Sequence, residues 1–218
     1  MRPKRFDYDP ANSDDNAVCA AQAVGSAKAL TLNGVLANAA GTLVTMDYAH
    51  RLDQITAGDA SLINFTYVGT DADGFALTEV LAGGAGTPST ETTVGYFKTI
   101  TSITSSAAVT GNVTIGTDAT GEIMGKIIPI DYASDSACAI VVDISGTINY
   151  TVEESFDLMN NNTIAPQDAT WTDIVAFSGK TADVKGTASL GATAIRYKTT
   201  SFTSGAEAQM YVSQPVRG

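Results

Sequence analysis

The stretch CAIVVDISGTINYTVEESF, Cys138 to Phe156, decides the fold class. Within it Ile148, Tyr150, Val152, Glu154 and Phe156 fall at every second position, with Asn149, Thr151, Glu153 and Ser155 between them. A period of two sends alternate side chains to opposite sides of an extended chain, so this is a β-strand with one buried face. Cys138 to Val142 is an unbroken apolar run, and Asp143-Ile144-Ser145-Gly146-Thr147 separates the two runs with turn-forming types. Together they read as a bulged or hairpin-joined strand pair, which makes a sandwich or barrel the default architecture.

The same grammar repeats on either side. Leu30 and Leu32 alternate up to Asn33-Gly34, and further short runs cover Leu43 to Met46 and Arg51 to Thr56. Ile63, Phe65 and Tyr67 share one face, as do Phe75, Leu77 and Leu81. The intervening Thr70-Asp71-Ala72-Asp73-Gly74 predicts an antiparallel hairpin turning at Asp73-Gly74. Gly83 to Pro88 reads as a loop, and Phe97, Ile100, Ile103, Val113 and Ile115 belong to later strands. Ala17 to Ala29 allows either a short helix or a lead-in strand. After the turn-forming Asp118-Ala119-Thr120-Gly121, Ile123 to Ile130 opens a second domain, with Pro129 at an edge or strand end. Trp171 is expected as the largest core residue of that half, and Ile195 with Tyr197 and Met210 with Val212 mark its last strands. The predicted organisation is all-β: an extended N-terminal arm over residues 1–17, a first β-sandwich domain over 18–117 and a second over 118–218, each Ig-like or jelly-roll-like.

The arm is polar, with too little apolar content to fold alone. Arg2, Lys4 and Arg5 give it a basic tip, and Phe6 and Tyr8 are aromatic anchors of the kind a docking segment uses. A frayed terminus is the plain alternative. On the docking reading, deleting residues 1–16 removes partner binding and leaves the fold intact.

Composition narrows the function classes. Charged residues are only 16% of the 218, hydrophobic residues are 44%, and the gap is filled by Thr, Ser, Ala and Gly. Such a charge-poor, hydroxyl-rich surface suits packing against copies of itself or a larger assembly as well as an ordinary extracellular β-domain. A net charge of −11 argues against nucleic acid as a partner. No stretch has the apolar length of a membrane span, and no apolar segment follows the basic start, so neither a membrane anchor nor a signal peptide is expected. Cys19 and Cys138 offer neither a disulfide framework nor a zinc ligand set.

Tests for chemistry mostly fail. The single histidine, His50, has Asp47 and Asp53 nearby but no G-x-S-x-G nucleophile elbow, and it reads as a surface or hairpin residue. Asp71, Asp73 and Gly74, with Glu79 beyond, begin like a calcium loop, but a third oxygen position is missing and the glycine is misplaced. Glu153 and Glu154 are adjacent on a strand and point to opposite faces, so they are no glycosidase pair; Glu154 is expected near a strand end or paired with Arg196 or Lys198. Tyr96, Tyr132, Tyr197 and Tyr211 are candidates for an aromatic platform if the chain binds carbohydrate. No catalytic residue, cofactor or metal site is expected.

Several stretches in order resemble small structural proteins of tailed bacteriophages: ISGTINYTVEESF from Ile144, Ala169-Thr170-Trp171, ATAIRYKT from Ala192, and the closing Ala208 to Ser213. The first half resembles a companion module through Ala29 to Gly34, the Ile63 to Leu81 hairpin, Tyr96 to Ile103 and Gly111 to Gly116. The resemblance implies a non-catalytic virion structural protein, assembled in the host cytoplasm: a capsid decoration or cement protein, or a head-to-tail or tail-fibre accessory. Its implied partners are the major capsid protein or connector and tail proteins. A homo-oligomer, such as a trimer, follows from the symmetry of such sites. A carbohydrate- or receptor-binding adhesin module is the alternative.

Overall fold

The computed structural model describes residues 3–133, 136–158, 164–165 and 167–214. The chain is all-β, built from antiparallel sheets, with one 3-10 turn at Val175–Phe177 among the described residues. Two compact units form. One is the continuous segment Ser13–Gly121; the other combines Met1–Asn12 with Glu122–Gly218. The first unit is thus inserted, in chain order, between the first strand of the second unit and the rest of it.

That first strand is β1 (Lys4–Tyr8). The inserted unit follows with β2 (Cys19–Ala23), β3 (Lys28–Ala29), β4 (Val44–His50), β5 (Leu52–Thr56), β6 (Asn64–Thr70), β7 (Ala76–Ala82), β8 (Ser89–Thr92), β9 (Phe97–Ser105) and β10 (Asn112–Thr117). One of its sheets has the order β2-β10-β5-β8, the other β4-β9-β6-β7, with β3 also pairing β9. Strands β4 and β5 are separated only by Arg51 yet lie in different sheets, so the chain turns a corner there. Inward residues of both sheets, among them Phe65, Tyr67, Phe97, Ile100, Leu52 and Ile115, form one fully buried cluster. Burial of each is worth about 2 kcal/mol. The Tyr67 hydroxyl donates to Gln54 Oε1 at 2.9 Å and ties the two layers across the core. The expected hairpin is present, from Asn64 opposite Ala82 to Thr70 opposite Ala76. Its turn is locked by Asp71 Oδ1, which accepts the amides of Asp73 (3.0 Å) and Phe75 (2.9 Å).

The split unit continues with β11 (Ile123–Met124), β12 (Ile128–Pro129), β13 (Ala139–Ser145), β14 (Ile148–Ser155), β15 (Thr172–Asp173), β16 (Val184–Thr187), β17 (Ala194–Phe202) and β18 (Glu207–Ser213). One sheet runs β1-β18-β13-β16; the other contains β15-β14-β17-β11, with β12 also on β17. The Cys138–Phe156 stretch therefore differs from a hairpin. Strands β13 and β14 belong to opposite sheets, and the bend at Gly146-Thr147 carries the chain between them. Both runs need to bury an apolar face, and facing each other satisfies both at once. Ile140 and Val142 on one side, and Ile148, Tyr150 and Val152 on the other, are all fully buried. Strand β14 is covered on its second face too, since Thr151 and Glu153 are also buried. Phe156, expected on the inward face, lies beyond the strand end and is 53% exposed.

The N-terminal segment is not a free arm. Strand β1 pairs antiparallel with β18 over five residues, Lys4 opposite Val212 to Tyr8 opposite Ala208. A five-residue edge strand that supplies a buried aromatic is part of a sandwich, so the division at residues 17 and 18 gives way to one at Asn12 and Ser13. Trp171 also departs from expectation. It is only partly buried and lies under the Arg196 guanidinium, 4.0 Å from ring centroid to Cζ. Tyr8, Tyr150 and Tyr197 are large aromatic residues at the core instead. Tyr8 stacks on Tyr197 at 4.1 Å and Tyr150 on Tyr197 at 5.6 Å. Alternation alone could not rank Trp171 against them, because it stands outside any periodic run.

Candidate functional site

Of the proposed docking residues, Arg2 lies outside the described residues, and the other four divide between surface and core. Lys4 and Arg5 are exposed, Phe6 is half-buried and Tyr8 is 5% exposed. Arg5 Nε donates to Asp7 Oδ1 at 2.6 Å, and this bond with the Asp7 charge raises the guanidinium pKa further. The Tyr8 ring occupies space left by a missing side chain: a Cβ on Gly125 would sit 2.7 Å from Tyr8 Cε1. Tyr8 is thus an internal anchor, unavailable to a partner while β1 is in place. The basic pair remains on the surface.

The acidic residues are engaged in holding backbone. Glu79 accepts the amides of Val94 and Gly95, both at 2.8 Å, through its two carboxylate oxygens. Asp53, 4% exposed, accepts the Thr92 hydroxyl at 2.6 Å and the Ala119 amide at 3.0 Å. Glu154 accepts the Ser189 amide at 2.7 Å and its hydroxyl at 2.6 Å. Charge-assisted bonds of this kind brace turns and strand ends. The Arg196 partner is Glu153, at 2.5 Å from Nε, rather than Glu154. The two residues face each other across β14 and β17 on the outer side, whereas Glu154 faces Ile195.

His50 is 2% exposed, not a surface residue. It ends β4 opposite Phe97, past an irregularity in the β4–β9 ladder that begins after Thr45. Its Nε2 lies 2.6 Å from Asp47 Oδ1. The Lys98 ammonium caps carbonyls freed by the same irregularity, donating to Met46 O and, at 2.7 Å, to Asp47 O. The cluster of His50, Asp47 and Lys98 pins a bulge. Among the described residues no group of three or more His, Cys, Asp or Glu side chains could hold a metal ion. The four tyrosines do not make one platform: Tyr197 is fully buried, Tyr211 donates to Gln209 Oε1 at 2.8 Å, and Tyr132 is 51% exposed.

Both cysteines are buried free thiols. Burial pushes the Cys19 thiol up to about 12, and burial, with Asp183 and Asp143 beyond it, pushes Tyr150 up to about 12. Tyr67 is raised as well, first by burial. Each group keeps its proton in the fold after the unfolded chain has released it. The contribution of these three groups is therefore expected to be level below about pH 9 and to fall as pH rises toward 12, by about 1.4 kcal/mol per pH unit for each group within its window. Urea titrations at a series of pH values check this, and Cys19→Ala should make the first part of the decline shallower. A native chain that reacts at once with a thiol reagent at pH 8 would contradict the burial of both thiols.

No protein-family model matches the chain, and no curated protein matches it in sequence. Among solved structures, allantoicase from Saccharomyces cerevisiae aligns over 78% of this chain and 76% of its own at 10% identity, with a TM-score of 0.21. A superposition that loose carries no argument about fold or chemistry.

Proposed function

We propose that this protein is a non-catalytic structural component of a tailed-bacteriophage virion, a decoration or cement protein that binds the head shell and stabilises it. The observation that carries this reading is how the chain uses its reactive side chains. Asp53, Glu79, Glu153 and Glu154 are bonded to backbone, hydroxyl or guanidinium groups within their own units. Two antiparallel sandwiches braced in this way are rigid adhesive bodies, and a surface in which charged residues are only 16% of the chain suits broad protein contact. Large apolar side chains on that surface, Val175 at 87% and Val94 at 78% exposure, are available as anchors. The major capsid protein is the proposed partner, and Lys4 and Arg5 are the part of the N-terminal segment that docking can use.

The test is add-back. Purified protein is mixed with head shells of the encoding phage that lack it, and binding is read by co-sedimentation. The expected result is saturable binding with a higher shell disruption temperature. Shells that neither bind the protein nor gain stability would overturn the cement reading. Binding confined to the vertex that joins the tail would reassign the protein to the head-to-tail junction.

A further inference from the structure

The outer face of the part of the sheet formed by β7, β6 and the Thr99–Ser105 stretch of β9 carries no charge, Asp47 and Lys98 lying at its β4 margin, and we propose that a second copy of this chain packs against it face to face. Paired residues in an antiparallel ladder point to the same side. Phe65, Tyr67, Leu77 and Leu81 face or pack against the core, so their alternates face outward. Across the strands one outward row is Val80, Thr66 and Thr104, and the next is Thr78, Val68 and Ser102. The flanking rows hold only Ala, Asn and Thr. No charged or aromatic side chain stands in any of these rows, in a chain whose net charge is −11. Val80 is 60% exposed, and Leu62, which leads into β6 at one end of the face, is 95% exposed.

Charge and shape both select a second copy as the occupant. Two chains of −11 repel wherever their carboxylates meet, and this face lets them approach without bringing any together. A two-fold contact requires a patch complementary to itself, which small uncharged side chains provide. With the two-fold axis lying in the contact plane and running across the strands, Leu62 of one copy meets the Ala76 end of the other, a large side chain against a small one. The edge of the sheet is guarded where the face is not. On edge strand β7 the one charged residue, Glu79, turns inward and holds the Val94 and Gly95 amides, a device that discourages edge-to-edge pairing.

Seven residues along each strand and three strands across give a face of roughly 24 by 14 Å, about 340 Å². A stable interface covers about 800 Å² per partner. The isolated chain should therefore pair weakly, with a dissociation constant on the order of 100 µM. Such a contact becomes effective where copies are held side by side. The inference deepens the virion reading by naming how neighbouring copies meet, yet its test uses the isolated chain, so the two can fail separately.

Sedimentation velocity over about 10 µM to 1 mM should show the weight-average sedimentation coefficient of the full chain rising with concentration. Thr66→Glu and Thr66→Lys, near the middle of the face, should each abolish the rise, and an equimolar mixture of the two should restore it. Thermal midpoints equal to the parent chain show that the variants are folded, and Val80→Glu is the second variant if either is not. A parent chain that stays monomeric throughout, or a Thr66→Glu variant that associates as the parent does, would overturn the proposal. A monomeric parent whose Thr66→Glu variant no longer binds head shells would also overturn it, and would assign the face to the shell protein.

Discussion

Removal of residues 1–12 is expected to unfold the unit formed with residues 122–218, not merely to detach a docking arm. Deletion strips five ladder positions from β18 and removes the Tyr8 ring from its stack on Tyr197. Tyr8→Ala alone should cost about 3 to 5 kcal/mol, the range for truncating a buried aromatic, out of a typical total of about 5 to 15 kcal/mol. Trp171, the only tryptophan, belongs to the split unit, so its fluorescence reports on that unit specifically. Urea unfolding followed at tryptophan emission should show a large loss of midpoint in the point variant and no cooperative transition in the deletion. A Gly125→Ala change presses on the same ring, since its Cβ would meet Tyr8 at 2.7 Å. Its cost should shrink when Tyr8 is already alanine, a coupling that a double-mutant cycle measures. An unchanged midpoint in Tyr8→Ala would mean that β1 does not belong to the fold.

The second large effect is expected at Gly69 in the inserted unit. Here β6 and β9 slip register between Val68 and Gly69, and the backbones come so close that a Cβ would lie 1.8 Å from the Thr99 carbonyl oxygen. The obstacle is backbone on a central strand, so relief requires separating two paired strands. Gly69→Ala should cost about 3 kcal/mol or more, at or beyond the upper end of overpacking effects. Gly25→Ala, where nothing lies within 4 Å, is the matched control and should be near neutral. Far-UV circular dichroism in urea measures both. Equal midpoints for the two variants would show that the close approach of β6 to β9 does not exist.

Much of this fold is legible in the sequence because alternation is a strong signal. The β6–β7 hairpin, its Asp-Gly turn and the all-β class follow from side-chain period and turn chemistry alone. What period cannot supply is the partner of each strand. The Cys138–Phe156 stretch has the spacing of a hairpin, yet its halves are placed in opposite layers by long-range pairing with β18 and β17. The N-terminal residues read as polar and unstructured because β1 has one inward anchor, Tyr8, and pairs with a strand about two hundred residues away. His50 and its neighbour Asp47 are legible in the sequence, but the burial of the ring is not. Its burial depends on the β4 irregularity, which leaves no mark in the local pattern. The Glu153–Arg196 pair likewise depends on the β14–β17 register, which shifts between Asn149 and Tyr150.

Quantitative mass spectrometry of purified tailed-phage particles decides whether this protein is the virion component proposed above. The quantity is the number of copies of this chain relative to the major capsid protein. A ratio approaching that of the shell protein is the expected result for a decoration or cement protein. Absence of the chain from purified particles would contradict the proposal.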